Sequence, residues 1–157
     1  MFSPKRKMFL LNLLIALSLV AAGTAVPSMQ AAAVSTYPNM QVTLSANNVN
    51  AWAVTVYAGK PLIFRAKVKN IGNTPLQVTA NLTIPYNWGV PQNKYSDCPD
   101  SLAVRSSCTI SWYFIPQGSG QLTLRVYVRG NYKDSAGNAQ RITSSPAMIF
   151  NVKPARN

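Results

Sequence analysis

Histidine and glutamate are absent from this 157-residue sequence, and aspartate occurs only three times. Without histidine, the chain lacks the usual general base at neutral pH and the commonest metal ligand. Three aspartates leave little for chemistry that uses paired carboxylates. Serine and threonine are plentiful, but no Gly-x-Ser-x-Gly or Ser-x-x-Lys motif accompanies them. The composition therefore argues against an enzyme and against a bound cofactor.

Two of the three aspartates, Asp97 and Asp100, flank Cys98. Aspartates in turns usually accept hydrogen bonds from nearby backbone amides, and that is the ordinary interpretation of this pair. A calcium site would need six or more oxygen ligands. We therefore predict no metal site in this segment.

Cysteine is also scarce, since only Cys98 and Cys108 occur. In an oxidising compartment, a single pair of this kind indicates a structural disulfide rather than a metal or redox site. Closing a loop of this length contributes ~2 to 3 kcal/mol in the chain-entropy model. We predict a disulfide between the two residues.

The N-terminus has the order of a secretory signal peptide, which we assign to residues 1–33. A cationic segment at residues 5–7 precedes an apolar run at 8–20 and a stretch of small residues. The run is short for a spanning helix, which needs ~20 apolar residues; an uncleaved signal anchor is the alternative. Cleavage after Ala25 or after Ala33 fits the pattern, and we favour Ala33.

Residues 34–157 suffice for one domain, because a domain of this size buries roughly two-thirds of the surface that its unfolded chain exposes. They contain no second long apolar run. We expect one exported domain, periplasmic or extracellular, with no integral membrane span after signal cleavage.

Charge is one-sided: 15 Lys and Arg against three acidic residues give a net charge of +12. Subtracting the three cations of the signal segment leaves +9. Such a surplus favours anionic surroundings, including glycolipid and acidic cell-wall polymer. A basic surface that only keeps the protein hydrated is the simpler explanation. Nucleic acid would need a reading element or a stacking platform, so we expect no nucleic-acid partner.

Short β-type runs separated by turn residues fill the rest of the chain, without sustained helical periodicity. The clearest alternation is at 62–69, where apolar and cationic residues take opposite faces. We predict about seven strands, at 40–44, 52–57, 62–69, 76–84, 107–115, 121–129 and 141–152. A long loop at 85–99 interrupts them. This spacing is typical of an all-β, immunoglobulin-like antiparallel β-sandwich.

Two blocks of sequence resemble the ASPM–SPD-2–Hydin-type domains. In bacteria these are also met as "choice-of-anchor" repeats, and they are related to major-sperm-protein and pilus-chaperone sandwiches. The first block is VKNIGNTPLQV at 68–78, which reads N-x-G-x-x-P-L-x-V from Asn70. The second, at 98–124, contains CTIS, FIP and GQLTL in the family's order. The resemblance covers about residues 59–130. One departure is Arg105 and its neighbours, which stand where the family usually carries glycine.

The resemblance implies a non-enzymatic sandwich used for scaffolding or protein contact, and it supplies no catalytic residues. There is one copy of the domain, and no anchoring tail follows it in this sequence. A role as a surface-display stalk is therefore not expected.

Two sets of residues are candidates for binding. The basic set is Arg65, Lys67 and Lys69 on one strand, with Arg125 and Arg129 on another; period-2 spacing puts each group on one side of its strand. Guanidinium and ammonium groups so arranged suit phosphate or sulfate. Whether both groups share a sheet depends on the strand order, which the sequence leaves open.

The aromatic set is Tyr86, Trp88 and Tyr95, all within the predicted long loop. Exposed flat rings suit sugar stacking or the centre of a protein interface. The alternative is that one or two of these rings plug the end of the sandwich.

We therefore expect an exported, non-enzymatic binding module with a protein partner in the bacterial envelope or in a host. The aromatic loop and exposed strand edges would make the contact, with main-chain pairing as one mode. The alternative is a module for an anionic or carbohydrate polymer, such as glycolipid or cell-wall material, bound by the basic faces. An incomplete, pilus-like sandwich that needs a donor strand is a further alternative, which a stable monomer would exclude.

Overall fold

The chain forms two sheets that pack face to face, because alternating apolar and polar side chains give each sheet one apolar face to bury. The structure is a computed structural model that describes residues 37–89 and 93–155. The predicted signal peptide and its cleavage sites lie outside the described residues. Within those residues, no helix is long and apolar enough to cross a membrane.

The described residues form nine strands and one short 3-10 helix. The strands are β1 (Met40–Ala46), β2 (Ala53–Tyr57), β3 (Leu62–Asn70), β4 (Gln77–Thr83), β5 (Asn93–Ser96), β6 (Ser107–Phe114), β7 (Gly120–Lys133), β8 (Ala139–Ser144) and β9 (Ala147–Lys153). The helix, Tyr86–Trp88, lies between β4 and β5.

The first sheet has the strand order β1-β3-β6-β5 and is antiparallel throughout. The second has the order β2-β9-β7-β4, with β8 also paired to β7. Only the β2–β9 pair is parallel within the described residues. Two sheets of this kind are an immunoglobulin-like sandwich, as the sequence predicts.

Strands β8 and β9 are one strand interrupted by Pro146. Both pair with β7 in the same register, since Val128 lies opposite Ser144 and Arg125 opposite Ala147. Between them, the N–H of Val126 still donates to the carbonyl of Pro146 at 3.0 Å. Because proline has no N–H, it cannot donate the second hydrogen bond of this pair, to the carbonyl of Val126. The predicted strand at 141–152 is therefore divided into two.

The core lies between the two sheets and is built from the inward half of each alternation. The four apolar residues of β3 that the sequence predicts to face inward are all buried; they are Leu62, Phe64, Ala66 and Val68. Phe64 joins the sheets, because its ring packs edge-on against Phe150 of β9 with centroids 5.6 Å apart. It also contacts Trp112 of β6, at 6.2 Å.

Strand β5 lies inside the segment predicted as a long loop. All four of its side chains are exposed, so it lacks the alternation by which the other strands are recognised. Its pairing with β6 is carried by the main chain. The predicted disulfide between Cys98 and Cys108 is confirmed, and its Cα atoms are 4.8 Å apart. It ties the residues after β5 to β6.

The turn after β3 is organised by Asn70, whose side chain is fully buried. Its Nδ2 donates to the carbonyls of Thr74 (2.8 Å) and Leu102 (3.1 Å), and its Oδ1 accepts from the N–H of Gly72 (3.1 Å). Leu76 and Leu102 then exchange two backbone hydrogen bonds. These residues include the Asn, Gly and Leu of the N-x-G-x-x-P-L block, which therefore connects the β3–β4 turn to the loop before β6.

Arg105 adopts a left-handed backbone conformation, with a φ of 65°; it is the middle residue of Val104-Arg105-Ser106, the segment where the resembled family usually has glycine. That conformation costs a residue with a Cβ roughly 1 to 2 kcal/mol. We expect Arg105→Gly to raise the free energy of unfolding by about 0.5 kcal/mol, because the relieved strain is partly offset by the greater entropy of the unfolded chain.

Urea denaturation measures this difference. Ser106→Gly is the matched control, since Ser106 is not among the residues with a positive φ; this change should lower stability by roughly 0.5 to 1 kcal/mol. A decrease in both variants would show that the conformation of Arg105 carries no strain.

Candidate functional site

The cations of β3 lie along the centre of the outer face of the first sheet. We call Arg65, Lys67 and Lys69 the first lane. Cross-strand register places each cation between two uncharged polar residues of β1 and β6: Arg65 between Ser45 and Ser111, Lys67 between Thr43 and Thr109, and Lys69 between Gln41 and Ser107. The flanking side chains are short or neutral, so the lane is open along its length.

The turn between β1 and β2 orients Arg65. Asn47 and Asn48 both have positive φ values, 47° and 68°, which is the conformation of a two-residue hairpin turn that asparagine tolerates. The Oδ1 of Asn47 accepts from the N–H of Ile63 at 2.9 Å, and the Oδ1 of Asn48 accepts from Nη1 of Arg65 at 2.8 Å. A neutral oxygen thus positions the guanidinium and leaves its charge uncompensated.

Lys67 and Lys69 are exposed and make no hydrogen bond or ion pair with the described residues. Asp97 lies at the β5 side of the row that contains Lys67 and Thr109. Its Oδ1 accepts a hydrogen bond from the N–H of Thr109, and its own N–H donates to the carbonyl of Thr109 at 3.1 Å. Asp97 therefore extends the pairing of β6, the ordinary role expected of an aspartate there.

The remaining acidic side chains lie in loops. Asp134 caps the tip of the β7–β8 hairpin and accepts from the N–H groups of Ala136 and Asn138. The backbone N–H of Asn138, followed by the side chain of Gln140, holds the pKa of Asp134 below its ordinary value. Asp100 is exposed in the loop before β6. None of these carboxylates is placed on the strands that carry the basic residues.

Asp97, Cys98 and Cys108 bring three potential metal ligands within 4.8 Å of one another. The two sulfur atoms are bonded to each other, so neither is a thiolate available to a metal ion. No other such cluster occurs among the described residues.

Arg125 and Arg129 lie on β7, on the outer face of the second sheet. The strand order thus answers the question that the sequence leaves open: the two basic groups are on opposite faces of the sandwich. Nη1 of Arg125 donates to the carbonyl of Ser145 at 3.0 Å, again a neutral acceptor. Tyr127 lies between the two arginines and is 47% exposed.

The three candidate aromatic residues do not form one surface. Trp88 is half-buried against the core, and its ring covers Gly118, where an added Cβ would meet it at 3.4 Å. This packing favours the alternative for Trp88, a ring that serves the core. Tyr86 is 100% exposed on the short helix, and Tyr95 is 70% exposed on β5.

Tyr95 instead belongs with the first lane. It lies opposite Ser111, which is itself opposite Arg65. Tyr113, 37% exposed, lies in the next row between Ile63 and β5. The outer face of the first sheet therefore combines cations, hydroxyl groups and two partly exposed phenol rings.

Sequence reasoning missed the uncharged flanks of the first lane and the role of Asn48. No local motif marks them, because an outward serine or threonine on a strand is ordinary until the pairing register is known. It also gave no role to Lys94, whose Nζ donates to the carbonyl of Ala80 at 2.6 Å. Lys94 covers part of the outer edge of β4 and is committed to that contact.

No family model and no curated protein matches the chain. Among solved structures, it is similar to the CARDB domain of a Pyrococcus furiosus protein in complex with di-metal ions (TM-score 0.51, 14% identity, 76% of this chain and 92% of that one). It is similar to a cohesin module from a Clostridium perfringens family 33 glycoside hydrolase (TM-score 0.51, 12% identity, 76% and 100%). The ASH/PapD-like domain of human CEP192 also matches (TM-score 0.46, 16% identity, 73% and 87%). The first two likenesses show the sandwich fold.

Proposed function

We propose that this chain is an exported, non-enzymatic binding module that holds an anionic polymer on the outer face of its first sheet. The observation that carries the proposal is the first lane, a row of three cations between uncharged polar rows, with no ion pair to a described residue. Export is supported by the signal-type N-terminus and by the Cys98–Cys108 disulfide, since such bonds persist in oxidising compartments.

The spacing of the lane suits a repeating ligand better than a single small anion. Alternate residues of a strand are about 6.6 Å apart, so the three cations span about 13 Å in a line. An exposed ion pair contributes only ~0.2 to 1 kcal/mol, and useful affinity therefore requires several pairs at once. The hydroxyl groups beside the cations can exchange hydrogen bonds with sugar hydroxyls, and Tyr95 and Tyr113 offer ring faces.

Protein contact through the aromatic loop is the second candidate. The complete exposure of Tyr86 favours it, because a ring in water is a potential anchor at an interface. The half-burial of Trp88 weakens it, since this ring already serves the core. Strands β1, β2 and β8 are edge strands among the described residues, and their edges would supply the main-chain pairing that such a partner could use.

We also infer that the chain is a divergent ASPM–SPD-2–Hydin-type domain. The buried Asn70 connection supports this inference, because it gives a structural reason for the Asn, Gly and Leu of the shared block. The left-handed conformation of Arg105 supports it as well, since glycine adopts such a conformation without strain and the family usually carries glycine within the segment 104–106.

A pull-down tests the proposed function. The protein, purified as the cell exports it and with its disulfide intact, is the bait for envelope material and culture supernatant at low and high salt. Acidic polymer should be retained at low salt and released at high salt, because salt screens exposed charges. At low salt, R65Q/K67Q/K69Q should retain at most about a tenth of the acidic polymer that the wild type retains, because three charge contacts are lost.

The matched control is K60Q/R105Q/K153Q, which removes the same charge from exposed residues outside the strands of the first sheet. Lys60 and Arg105 lie between strands, and Lys153 is the last residue of β9 in the second sheet. This variant should retain as much polymer as the wild type. If both triple variants lose polymer equally, the effect comes from the net charge of the protein and not from the first lane. A discrete protein retained at high salt by all variants would instead support the second candidate, and mapping would then begin at Tyr86.

A further inference from the structure

The outer face of the second sheet also carries three cations. Arg125 and Arg129 on β7 are joined on the same face by Arg141 on β8, which lies opposite Asn131; we call these three residues the second lane. Their neighbours are again short or uncharged: Thr83 and Ala147 flank Arg125, and Thr79 and Thr143 flank Arg129. The outward residues of the described strands of this sheet include no carboxylate.

The two lanes share several features. Each holds three cations, and each has one arginine positioned by a neutral oxygen, that of Asn48 for Arg65 and that of Ser145 for Arg125. Each face also carries an exposed tyrosine: Tyr127 lies between Arg125 and Arg129, and Tyr95 lies in the row of Arg65, across Ser111. They differ in layout, because the first lane follows one strand, whereas Arg141 of the second lane lies on β8 beside β7.

The lanes face in opposite directions across the core. Packed sheets are about 10 Å apart, and each lane points away from that interior. A stiff ligand segment lying on one lane cannot reach the other, so both lanes can be filled at once only by two segments.

We propose that this protein is a two-sided binder that bridges two chains of an acidic polysaccharide, one on each face. This inference rests on the proposed function and adds its stoichiometry and ligand class. Carboxylate or sulfate groups would pair with the cations, and sugar hydroxyls with the flanking serine and threonine hydroxyls. Single-stranded nucleic acid would need successive aromatic platforms, whereas each lane has mainly hydroxyl neighbours. Protein interfaces are depleted in lysine at their centres, which makes a protein partner a poorer fit to the first lane.

A two-step capture assay tests bridging. The full exported protein binds to polygalacturonate fixed on a surface, excess protein is washed away, and labelled polygalacturonate is added. The variants are R65Q/K67Q/K69Q for the first lane, R125Q/R129Q/R141Q for the second, and the six-residue combination. Thermal unfolding checks that every variant is folded.

K60Q/R105Q/K153Q is again the control for charge, because its three residues belong to neither lane. Lys153 shares the second sheet with the second lane, but it lies at the opposite end of β9 from Ala147, the residue that flanks Arg125. The control therefore removes three charges without touching either row of cations.

The wild type and the control should capture the labelled polymer. Each single-lane variant should still bind the surface, about tenfold more weakly, but its capture of labelled polymer should fall to about a tenth, because the second chain has no lane. The combined variant should not bind. Size-exclusion chromatography must show a monomer, since a dimer would bridge by another route.

Three results would overturn the inference. If single-lane variants still capture labelled polymer, bridging does not use the two faces. If the first-lane variant abolishes all binding and the second-lane variant changes nothing, the protein is one-sided, and the proposed function stands alone; the reverse result would overturn the proposed function as well. If labelled single-stranded DNA is captured more strongly than polygalacturonate, the ligand class is wrong. Undiminished binding by the combined variant would overturn the proposed function as well.

Discussion

Asn70→Asp is expected to lower the free energy of unfolding by about 3 to 5 kcal/mol at pH 7, the usual cost of a buried charge without a partner. The side chain is fully buried. Its Nδ2 donates to two carbonyl oxygens, those of Thr74 and Leu102. A carboxylate of the same shape would place a negative oxygen against both, and it would have no proton to donate.

The pH dependence of this variant gives a specific signature. Burial and the two carbonyls would raise the pKa of an aspartate at position 70 above its value in the unfolded chain. When the pKa of a group is higher in the folded than in the unfolded chain, its contribution to the free energy of unfolding is most favourable below the unfolded-state pKa. That contribution is lost as the pH rises through the folded-state pKa. The variant should therefore lose less stability, relative to the wild type, at pH 4 than at pH 7.

Asn73→Asp is the control, because Asn73 is exposed in the same turn and its Oδ1 acts as an acceptor, from the hydroxyl of Thr74. This change should alter stability by less than about 0.5 kcal/mol. Urea denaturation at pH 4 and pH 7 measures all three proteins. Equal stability of Asn70→Asp and Asn73→Asp at pH 7 would show that the buried Asn70 connection does not hold the turn.

Gly72→Ala is expected to cost about 3 kcal/mol, at the upper end of the cost of overpacking. A Cβ on Gly72 would lie 2.3 Å from the N of Asn39, 2.7 Å from the carbonyl oxygen of Tyr37 and 2.9 Å from the Cα of Pro38. All three atoms belong to the backbone, so no side chain can rotate away. The segment before β1 must move, and the bonds from the N–H groups of Ile71 and Gly72 to the carbonyl of Asn39 are then lost.

Gly118→Ala is the matched control for this prediction. A Cβ there would meet the Trp88 ring at 3.4 Å, which is ordinary van der Waals contact, so stability should change by less than about 1 kcal/mol. Neither glycine has a positive φ, and the comparison therefore isolates steric contact. Thermal and urea unfolding give the difference, and equal effects of the two substitutions would refute the steric explanation.

The fold follows from the sequence wherever a strand has one face in the core. In β3 and β7, alternation marks both the strand and its inward side, because every second side chain must be buried. β5 has no buried face, and alternation cannot reveal a strand that is held by main-chain pairing alone. The break between β8 and β9 is local and follows from Pro146, yet the common register with β7 is visible only in the folded chain.

The proposed binding surface was only half predictable for a related reason. Spacing along a strand places Arg65, Lys67 and Lys69 on one side, but which residues flank them depends on pairs that are distant in sequence. Trp88 illustrates a second difficulty. From the sequence alone, an aromatic residue in a loop can be either a contact for a partner or part of the core. In the structure its ring packs over Gly118.

We propose that the first lane binds an anionic polymer through several simultaneous charge contacts. We would measure the affinity for polygalacturonate as a function of salt concentration for R125Q/R129Q/R141Q, which lacks the second lane, and for the same variant with R65Q/K67Q/K69Q or K60Q/R105Q/K153Q added. Each contact releases counterions, so adding R65Q/K67Q/K69Q should make the slope of log affinity against log salt less steep by roughly 2 to 3. Adding K60Q/R105Q/K153Q should leave the slope nearly unchanged. An unchanged slope after removal of the first lane would refute this mode of binding.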